Sequence, residues 1–258
     1  MSREPMAGNK SPRLIETAAG MVNAIGLQNI GVQAFLQKKL PALEKIPGCV
    51  VIANVFGYEV EDYLAVIAAL NHAEGVAAYE LNASCPNTSH GGMVFGTEPG
   101  LLYDLVRKAK SVSRRPLIVK LSPNVTSIAK MARSAADAGA DALSLVNTFL
   151  ALAIDVETRR PRIANVTGGL SGPAIKPIAL RMVHEASKAV RIPILGMGGI
   201  LTAEDAVEFM MAGATAVQVG TANYADPRAV ENIANGMRKW CAAHGVARVA
   251  ELTGAMVV

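Results

Sequence analysis

The sequence has few cysteines, few aromatic residues and no long apolar run. The chain has only three cysteines, Cys49, Cys85 and Cys241, and they form no Cys-x-x-Cys pair. This odd, scattered set predicts neither a disulfide framework nor a structural zinc site. No stretch approaches the ~18 apolar residues that a membrane span requires, and the polar start Met1–Pro5 lacks the pattern of a secretory leader. We therefore expect a soluble chain in the reducing cytoplasm.

Charge of one sign is not concentrated anywhere in the chain. Lys and Arg number 25 against 21 Asp and Glu, which gives a formal net charge of +4. The basic residues are spread over helix-like segments, so nucleic-acid binding is not predicted. A basic rim that attracts an anionic ligand fits the pattern better. Aromatic residues are only 4% and hydrophobic residues 51%, which favours helices packed on a buried sheet over an aromatic-rich β-sandwich.

Six short apolar runs alternate with longer amphipathic segments. The runs are rich in β-branched residues, as is typical of strands buried on both faces of a parallel sheet. They occupy residues 49–55, 77–82, 116–122, 142–147, 192–196 and 216–220. Helical patterns lie at 60–70, 100–109, 126–138 and 173–189, from Thr202 onward, and at 227–244. This alternation predicts an α/β fold in one domain, residues 1–258.

The number of strands falls short of a closed barrel. A (β/α)8 TIM barrel has eight strands. Residues 1–30 show no clear strand, and the first helical pattern begins only at about Gly31. The sheet is therefore either open or lacks its first two strands in this chain. Residues 151–170 form a long connection after a strand. Within it, Ile154–Thr158 and Pro161–Asn165 are predicted to pair as a small hairpin over the site.

The carboxyl ends of the predicted strands carry amides, one lysine, one thiol and several glycines. Function collects at these ends in α/β barrels. Paired carboxylates, a histidine cluster and a Ser-His-Asp arrangement are missing from these positions, so no metal site is predicted. The residues at the strand ends are Asn54, Asn82, Cys85, Asn87, Lys120, Asn147, Thr148, Gly196, Gly198, Gly199, Gly220 and Thr221.

Glycines follow the last two predicted strands, at Gly196–Gly199 and at Gly220. They could simply form tight turns, or their backbone N–H groups could bind a phosphate. Two such sites on consecutive strand ends favour the phosphate. Lys120 ends an apolar strand, where a lysine is rarely buried without a partner. Its side chain either reaches past the rim to solvent or supplies a fixed positive charge to an electron-rich ring, and we favour the charge.

The asparagines and the loop cysteine each allow two interpretations. Asn82, Asn87 and Asn147 could cap helices or turns, or could join Asn23 around a planar, amide-like ligand. Cys85 could be a buried structural thiol. It also precedes a proline in a glycine-containing loop, where a thiol with a pKa near 8.5 can act as a base if its surroundings help. Cys49 and Cys241 are interpreted as structural.

Several motifs in the chain resemble the dihydroorotate dehydrogenase family. Within the family they are most similar to the NAD-linked class, in which a catalytic subunit pairs with an iron–sulfur flavoprotein. The cysteine-loop motif Asn82-Ala-Ser-Cys-Pro-Asn87 is specific, as are the segments Ile154–Pro161 and Gly168–Pro177. With the segments 12–17, 20–29 and 118–124, the match covers essentially the whole chain.

The resemblance implies a TIM barrel that holds FMN and oxidises dihydroorotate to orotate in de novo pyrimidine biosynthesis. Cys85 would remove the C5 proton while hydride leaves C6 for the flavin. The implied substrate contacts are Asn23, Ile25, Gly26, Leu27, Asn82, Asn87, Asn147 and Thr148. The implied FMN contacts are Asn54, Asn82, Lys120, Val146, Gly172, Gly198, Gly199, Gly220 and Thr221. The implied assembly is a homodimer core with an iron–sulfur/FAD electron-transfer subunit, a heterotetramer that passes electrons to NAD.

The resemblance also implies a longer chain and leaves alternatives open. Family members carry roughly 45 more residues ahead of this chain, which form the first two of the eight barrel strands. Met1 would therefore lie in the loop that follows the second strand. One alternative is an enzyme of the dihydropyrimidine dehydrogenase type, which also uses a loop cysteine. The other is a truncated barrel that no longer binds FMN.

Overall fold

The computed structural model describes residues 1–83 and 95–257. These residues group into two compact units. Unit 1 comprises Met1–Asn9, Ile25–Ser122 and Lys130–Leu143, and unit 2 comprises Lys10–Ala24, Pro123–Ala129 and Ser144–Val258. The single domain expected from the sequence stays a prediction.

The strands include the six that the sequence predicts. These are β3 (Val51–Val55), β4 (Val76–Asn82), β5 (Leu117–Lys120), β6 (Ala142–Leu145), β11 (Ile194–Met197) and β12 (Ala216–Gln218). The remaining strands are β1 (Leu14–Thr17), β2 (Gly20–Asn23), β7 (Phe149–Leu152), β8 (Ile154–Asp155), β9 (Arg160–Pro161) and β10 (Thr167–Ser171).

The long helices also lie close to their predicted positions. They are α3 (Val60–Leu70), α4 (Pro99–Val112), α5 (Ile128–Asp137), α6 (Lys176–Ala189), α7 (Ala203–Met211) and α9 (Ala229–Ala243). Shorter helices are α1 (Gly31–Ala34), α2 (Leu40–Leu43) and α8 (Ala222–Ala225), with a π-helical turn at Phe35–Lys39 and 3₁₀ turns at Pro173–Ile175 and Val249–Leu252. No helix in the described part of the chain is long and apolar enough to cross a membrane.

Unit 1 is built on three parallel strands. Strand β4 pairs with β3 on one side and β5 on the other, with Asn54 opposite Glu80 and Asn82 opposite Lys120. Helices α3 and α4 bury aliphatic residues, among them Ile67 and Leu105. The carboxyl ends of β3, β4 and β5 therefore stand side by side, as parallel pairing requires.

Unit 2 contains a second parallel pair and a helical cluster. Strands β11 and β12 pair in parallel with Gly196 opposite Val217. Helix α7 begins with a capping box, in which the Asp205 backbone N–H donates to the Thr202 hydroxyl and the Asp205 carboxylate accepts from the Thr202 N–H. The predicted helix start at Thr202 is thus confirmed, and the box satisfies two N–H groups at the helix end.

An antiparallel sheet in unit 2 corrects the prediction for residues 1–30, in which the sequence shows no clear strand. Its order is β1-β2-β10-β7, with Asn23 opposite both Leu14 and Gly169. The strands have four or five residues. They are too short to produce a clear alternation. Pairing with β10, which is distant in sequence, stabilises β2 instead.

The predicted hairpin is present within this sheet's long connection. Strand β8 pairs with β9, with Ile154 opposite Pro161 and Asp155 opposite Arg160. The second hairpin strand therefore ends at Pro161, where the prediction began it. Residues on either side of the hairpin also lie in strands, because β7 precedes it, β10 follows it and the two strands pair with each other. Half of residues 151–170 therefore lie in strands, which corrects the prediction of a long loop.

Candidate functional site

The strand ends of unit 1 bring Asn54 and Lys120 to one buried carboxylate. The Asn54 side-chain amide donates to Glu80 Oε2 over 2.5 Å. The Lys120 ammonium lies 3.9 Å from the same oxygen. The side chains of Lys120 and Glu80 are 19% and 7% exposed, so Lys120 does not extend into solvent. The structure thus favours the fixed positive charge over the solvent-exposed side chain.

Glu80 is the residue in this cluster that the sequence reasoning missed. It lies in the middle of the apolar stretch Ala77-Ala-Tyr-Glu-Leu-Asn82. Buried acids are rare without a partner, so a glutamate inside a strand that is otherwise apolar was a usable signal. Its neighbours depend on the strand register, which places Asn54 beside it on β3 and Lys120 diagonally across on β5.

Asn82, the last residue of β4, is buried and tied to helix α3. The Tyr63 hydroxyl donates to the Asn82 backbone oxygen over 3.0 Å. The Tyr63 ring lies edge-on to Phe56 and to Phe95, with ring centroids 6.2 and 6.0 Å away. The backbone at the end of β4 is therefore fixed by a buried aromatic cluster. Cys85 and Asn87, the predicted base and its neighbouring amide, lie outside the described residues.

Ile25, Gly26 and Leu27 form an irregular segment of unit 1 that is fixed by two asparagines. The Asn9 backbone N–H donates to the Ile25 oxygen over 2.9 Å, and the Asn29 amide donates to the Leu27 oxygen over 2.8 Å. Leu27 itself has φ +57°. A non-glycine residue in this region is uncommon and is found at turns and functional sites. The predicted substrate segment is thus held in a specific backbone conformation.

Glycines of unit 2 lie together in a crowded backbone cluster. Gly172 has φ +92° and Gly199 has φ +79°. A Cβ on Gly199 would lie 2.7 Å from the Gly172 oxygen and 2.9 Å from Lys176 Cβ, so neither position admits a side chain without a shift. Gly198 packs on Ala179 and Ile175 in the same way. The packing of the chain itself thus requires glycine at these positions, and the same segments precede helices, whose N-terminal N–H groups are suited to a phosphate.

Thr221 and Gly220 complete the set at the end of β12. The Thr221 hydroxyl donates to the Ser171 hydroxyl over 2.8 Å. A Cβ on Gly172 would lie 3.6 Å from Thr221 Cγ2, so these two residues are neighbours. Gly220 differs, because no heavy atom of the described residues lies within 4 Å of where its Cβ would be. Gly172, Gly199 and Thr221 therefore surround one location, and Gly220 faces open space.

Lys176, which lies beside Gly199, is paired with two carboxylates. Lys176 Nζ lies 2.6 Å from Asp205 Oδ1 and 3.0 Å from Glu208 Oε2. The hydrogen bond to Asp205 raises the pKa of Lys176. Burial raises the pKa of Asp205, but the bonds from Lys176 and from the backbone N–H groups of Leu201 and Thr202 outweigh it, so the pKa is lowered overall. This pair fixes α6 to α7 beneath the glycines.

Asn23 and Thr148 both lie close to Gly169 of strand β10, and Asn147 directly precedes Thr148. The Asn23 amide donates to the Gly169 oxygen over 3.4 Å, and a Cβ on Gly169 would lie 2.0 Å from the Thr148 hydroxyl oxygen. The Thr148 N–H donates to the Asn147 side chain over 2.8 Å. The backbone N–H of Val146 donates to the Met197 oxygen over 3.1 Å. Three predicted residues of unit 2 are thus brought together, whereas Asn82 belongs to unit 1.

Within each unit taken by itself, the residues suit one part of a flavin. A paired lysine and an asparagine at strand ends can contact a polar ring. The glycine cluster offers the tight backbone that a phosphate needs, with open space at Gly220. No group of three or more His, Cys, Asp or Glu side chains in the described ranges could hold a metal ion.

The parallel strands, their helices and the polar residues at the strand ends define an α/β-barrel enzyme. The family model described as "Dihydroorotate dehydrogenase" matches residues 1–240. The chain belongs to the dihydroorotate dehydrogenase family. The predicted oxidation of dihydroorotate in pyrimidine biosynthesis is thereby confirmed, and the dihydropyrimidine dehydrogenase type is not favoured.

Relatives match at high identity over almost the whole chain. A protein of Solibacter usitatus (strain Ellin6076) named "Putative dihydroorotate dehydrogenase A (fumarate)" is 57% identical. One of Geobacter sp. (strain M21) named "Dihydroorotate dehydrogenase B (NAD(+)), catalytic subunit" is 55% identical. Each match covers 99% of this chain and 84% of the relative. The resemblance to the NAD-linked catalytic subunit is confirmed by the second name and by others like it.

A solved structure supports the fold class. The dihydroorotate dehydrogenase of Eimeria tenella, in complex with ferulenol, matches with a TM-score of 0.83 at 21% identity. The match covers 99% of this chain and 77% of that one. The predicted TIM-barrel fold class is confirmed. Enzymes of this family are flavoproteins.

Proposed function

We propose that FMN is the flavin with which this chain oxidises dihydroorotate to orotate. The observation that carries the proposal is the cluster at the carboxyl ends of β3, β4 and β5. There Asn54 and Lys120 meet a buried carboxylate. Polar residues converging at strand ends are the usual active-site arrangement of α/β barrels. Asn54 and Lys120 are also two of the residues that the family resemblance assigns to the flavin.

The proposed base is Cys85. Oxidation of dihydroorotate breaks two C–H bonds. The proton at C5 goes to the thiolate of Cys85, and hydride leaves C6. A thiol is a competent base near neutral pH because its pKa lies close to the working range. Asn87, two residues further on, is proposed to support the same site.

The pyrimidine is proposed to be held by backbone and amide groups. Ile25, Gly26 and Leu27 form the segment that Asn9 and Asn29 fix. Asn23 and Thr148 lie close to Gly169, and the Asn147 side chain accepts from the Thr148 N–H. Amides offer both donors and acceptors, which suits a ring that alternates N–H and C=O groups. Asn82 is proposed to contact both the pyrimidine and the flavin.

The FMN phosphate is proposed to lie at the glycine cluster of unit 2. Gly172, Gly198, Gly199 and Gly220 supply the backbone, with Thr221 beside them. Asn54, Asn82, Lys120 and Val146 are assigned to the rest of the cofactor. When bound, FMN would accept the hydride from C6 of the substrate. The ammonium group of Lys120 stabilises negative charge nearby, which is the preorganised electrostatic term in such reactions.

Electrons must then leave through a partner. We propose a homodimer core bound to an iron–sulfur/FAD subunit, a heterotetramer with NAD as final acceptor. The words "catalytic subunit" in the relatives' names support a separate electron-transfer protein. The sequence has no Cys-x-x-Cys pair to hold an iron–sulfur cluster. None of its predicted strands is followed by the glycine-rich motif that binds a dinucleotide. The cytoplasmic location remains a prediction from the sequence.

The visible absorption spectrum of the purified chain, before and after anaerobic addition of dihydroorotate, tests the proposal. A flavin spectrum that bleaches with dihydroorotate is expected. Dihydrouracil is the matched control, since it lacks the carboxylate and is the substrate type of the alternative enzyme. Bleaching by dihydrouracil alone would favour that alternative. A protein that is colourless and takes up no added FMN would contradict the proposal and favour a barrel that no longer binds flavin.

A further inference from the structure

Glu80 has no role in the proposed reaction, yet it is the most buried charged side chain of the candidate site. The residue is 5% exposed and lies in the central strand of unit 1. Asn54 stands opposite it on β3, and Lys120 ends β5 two residue pairs further along, opposite Asn82. Side chains two residues apart on a strand share a face. Glu80 and Asn82 therefore point to the same side of β4.

One oxygen of Glu80 contacts both neighbours. Oε2 accepts from the Asn54 amide nitrogen over 2.5 Å, and the Lys120 ammonium lies 3.9 Å from it. The carboxylate thus lies between two residues that the proposed function assigns to FMN. Burying a charge without partners is costly, and these contacts explain how an acid is retained inside an apolar strand.

The contact with Asn54 fixes the orientation of the amide. An ionised carboxylate only accepts hydrogen bonds, so the amide nitrogen of Asn54 faces Glu80. Turning the amide over would place two acceptors against each other. The Asn54 carbonyl oxygen is thereby held in one direction. Without the carboxylate, both orientations of the amide become accessible.

The contact with Lys120 acts on charge. The lysine has a flexible four-carbon stem, and its ammonium is a compact point charge. A carboxylate 3.9 Å away restrains that ammonium group and offsets part of its positive electrostatic field. A negative charge near the ammonium also disfavours any additional negative charge placed at the same location. The reduced form of a flavin carries such charge.

We propose that Glu80 is a positioning residue of the flavin site, which orients the Asn54 amide and moderates the charge of Lys120. The inference rests on the proposed binding of FMN. Glu80 thereby sets both the affinity for oxidised FMN and the balance between the oxidised and reduced forms of the bound flavin. Glu80 contacts neither substrate nor reacting atoms in this scheme.

The test is the isosteric variant Glu80→Gln, with Glu74→Gln as matched control. Glu74 is exposed and belongs to the same unit. FMN affinity is measured by fluorescence titration, and the midpoint potential of the bound flavin by anaerobic spectroelectrochemistry. Glu80→Gln is expected to weaken oxidised FMN binding about tenfold. It is also expected to raise the potential by about 30 mV, which corresponds to a tenfold shift toward the reduced form in a two-electron couple.

Glu80→Asp separates the two effects and serves if the glutamine variant does not fold. It keeps the charge but shortens the side chain, so FMN affinity should fall while the potential stays near that of the unmodified chain. An unchanged potential in a folded Glu80→Gln that binds FMN normally would overturn the inference, as would a lowered potential. If the unmodified chain binds no FMN, the proposed function fails too. Normal FMN binding by the unmodified chain, together with an unchanged flavin potential in Glu80→Gln, counts against the role of Glu80 alone.

Discussion

The Tyr63 hydroxyl donates a hydrogen bond to the backbone oxygen of Asn82 and so joins helix α3 to the last residue of β4. Tyr63 is fully enclosed, with Phe56 and Phe95 against its ring. Asn82 is proposed to contact both ligands. A bond between a helix and the backbone of a site residue controls where that residue lies, although Tyr63 itself contacts no ligand in this scheme.

Tyr63→Phe should lower the free energy of unfolding by about 1 kcal/mol, because a buried hydrogen bond is lost. It should also weaken FMN binding, since the end of β4 is freer to move. Tyr79→Phe is the matched control, because Tyr79 is equally buried and its hydroxyl donates to Asn71 over 2.9 Å, away from the strand ends. Urea unfolding and FMN titration check both variants. Equal losses of FMN affinity would show that the bond to Asn82 has no special role.

Gly199→Ala should reduce FMN affinity tenfold or more. The new Cβ would lie 2.7 Å from the Gly172 oxygen, so the two glycine segments must separate. Gly245→Ala controls for backbone strain, because Gly245 also has positive φ, +68°, and has no described heavy atom within 4 Å of the Cβ position. Both variants should lose about 1 kcal/mol or more from strain, and only Gly199→Ala should lose FMN. Retained FMN binding in Gly199→Ala would exclude the cluster as the phosphate site.

The Asp205 carboxylate should make stability depend on pH at the acid end. Its pKa is lowered in the folded chain. The stability it contributes is therefore complete above its unfolded pKa of about 3.9 and is lost as the pH falls through the lower, folded pKa. Asp205→Asn should cost about 1 kcal/mol at pH 7 and less at pH 3, which lies below the unfolded pKa. Urea unfolding at the two pH values measures this, with the exposed Asp104→Asn as control. An equal cost at both pH values would contradict it.

Cys85→Ser should slow the reduction of bound flavin by dihydroorotate by about 10²–10⁴-fold at neutral pH, since a hydroxyl is a far poorer base than a thiol. Anaerobic stopped-flow absorbance measures the rate. Cys49→Ser removes an exposed thiol elsewhere in unit 1 and should leave the rate unchanged. Unaltered flavin reduction in Cys85→Ser would remove this residue from the mechanism.

Parts of the fold that depend on local pattern could be predicted from the sequence. Helix α3 begins and ends where its apolar periodicity does, and Thr202 caps α7 as its spacing to Asp205 predicts. Strand β2 was missed because four residues carry little periodic signal. Its pairing with β10 joins residues that are 146 to 150 positions apart in the sequence. Long-range pairing of short strands is not encoded in a local window.

The candidate site shows the same division. Asn54, Lys120 and the glycines were predictable because parallel strands place their carboxyl ends at one edge. Glu80 was not, since its importance depends on the register between β3, β4 and β5. The conformations of Leu27 and Gly169 were also hidden. Leu27 has a positive φ beside the local hydrogen bond from Asn29, and Gly169 approaches Thr148, which is distant in sequence.

Strand β10 connects two of the proposed binding regions within unit 2. Gly169 contacts Thr148 on the pyrimidine side, and Gly172 belongs to the glycine cluster. The extended chain between them spans roughly 10 Å, at about 3.3 Å a residue. Adding or deleting one residue here would change that spacing and turn the following side chains to the opposite face. Any change in the length of this segment would therefore displace the proposed ring and phosphate contacts together.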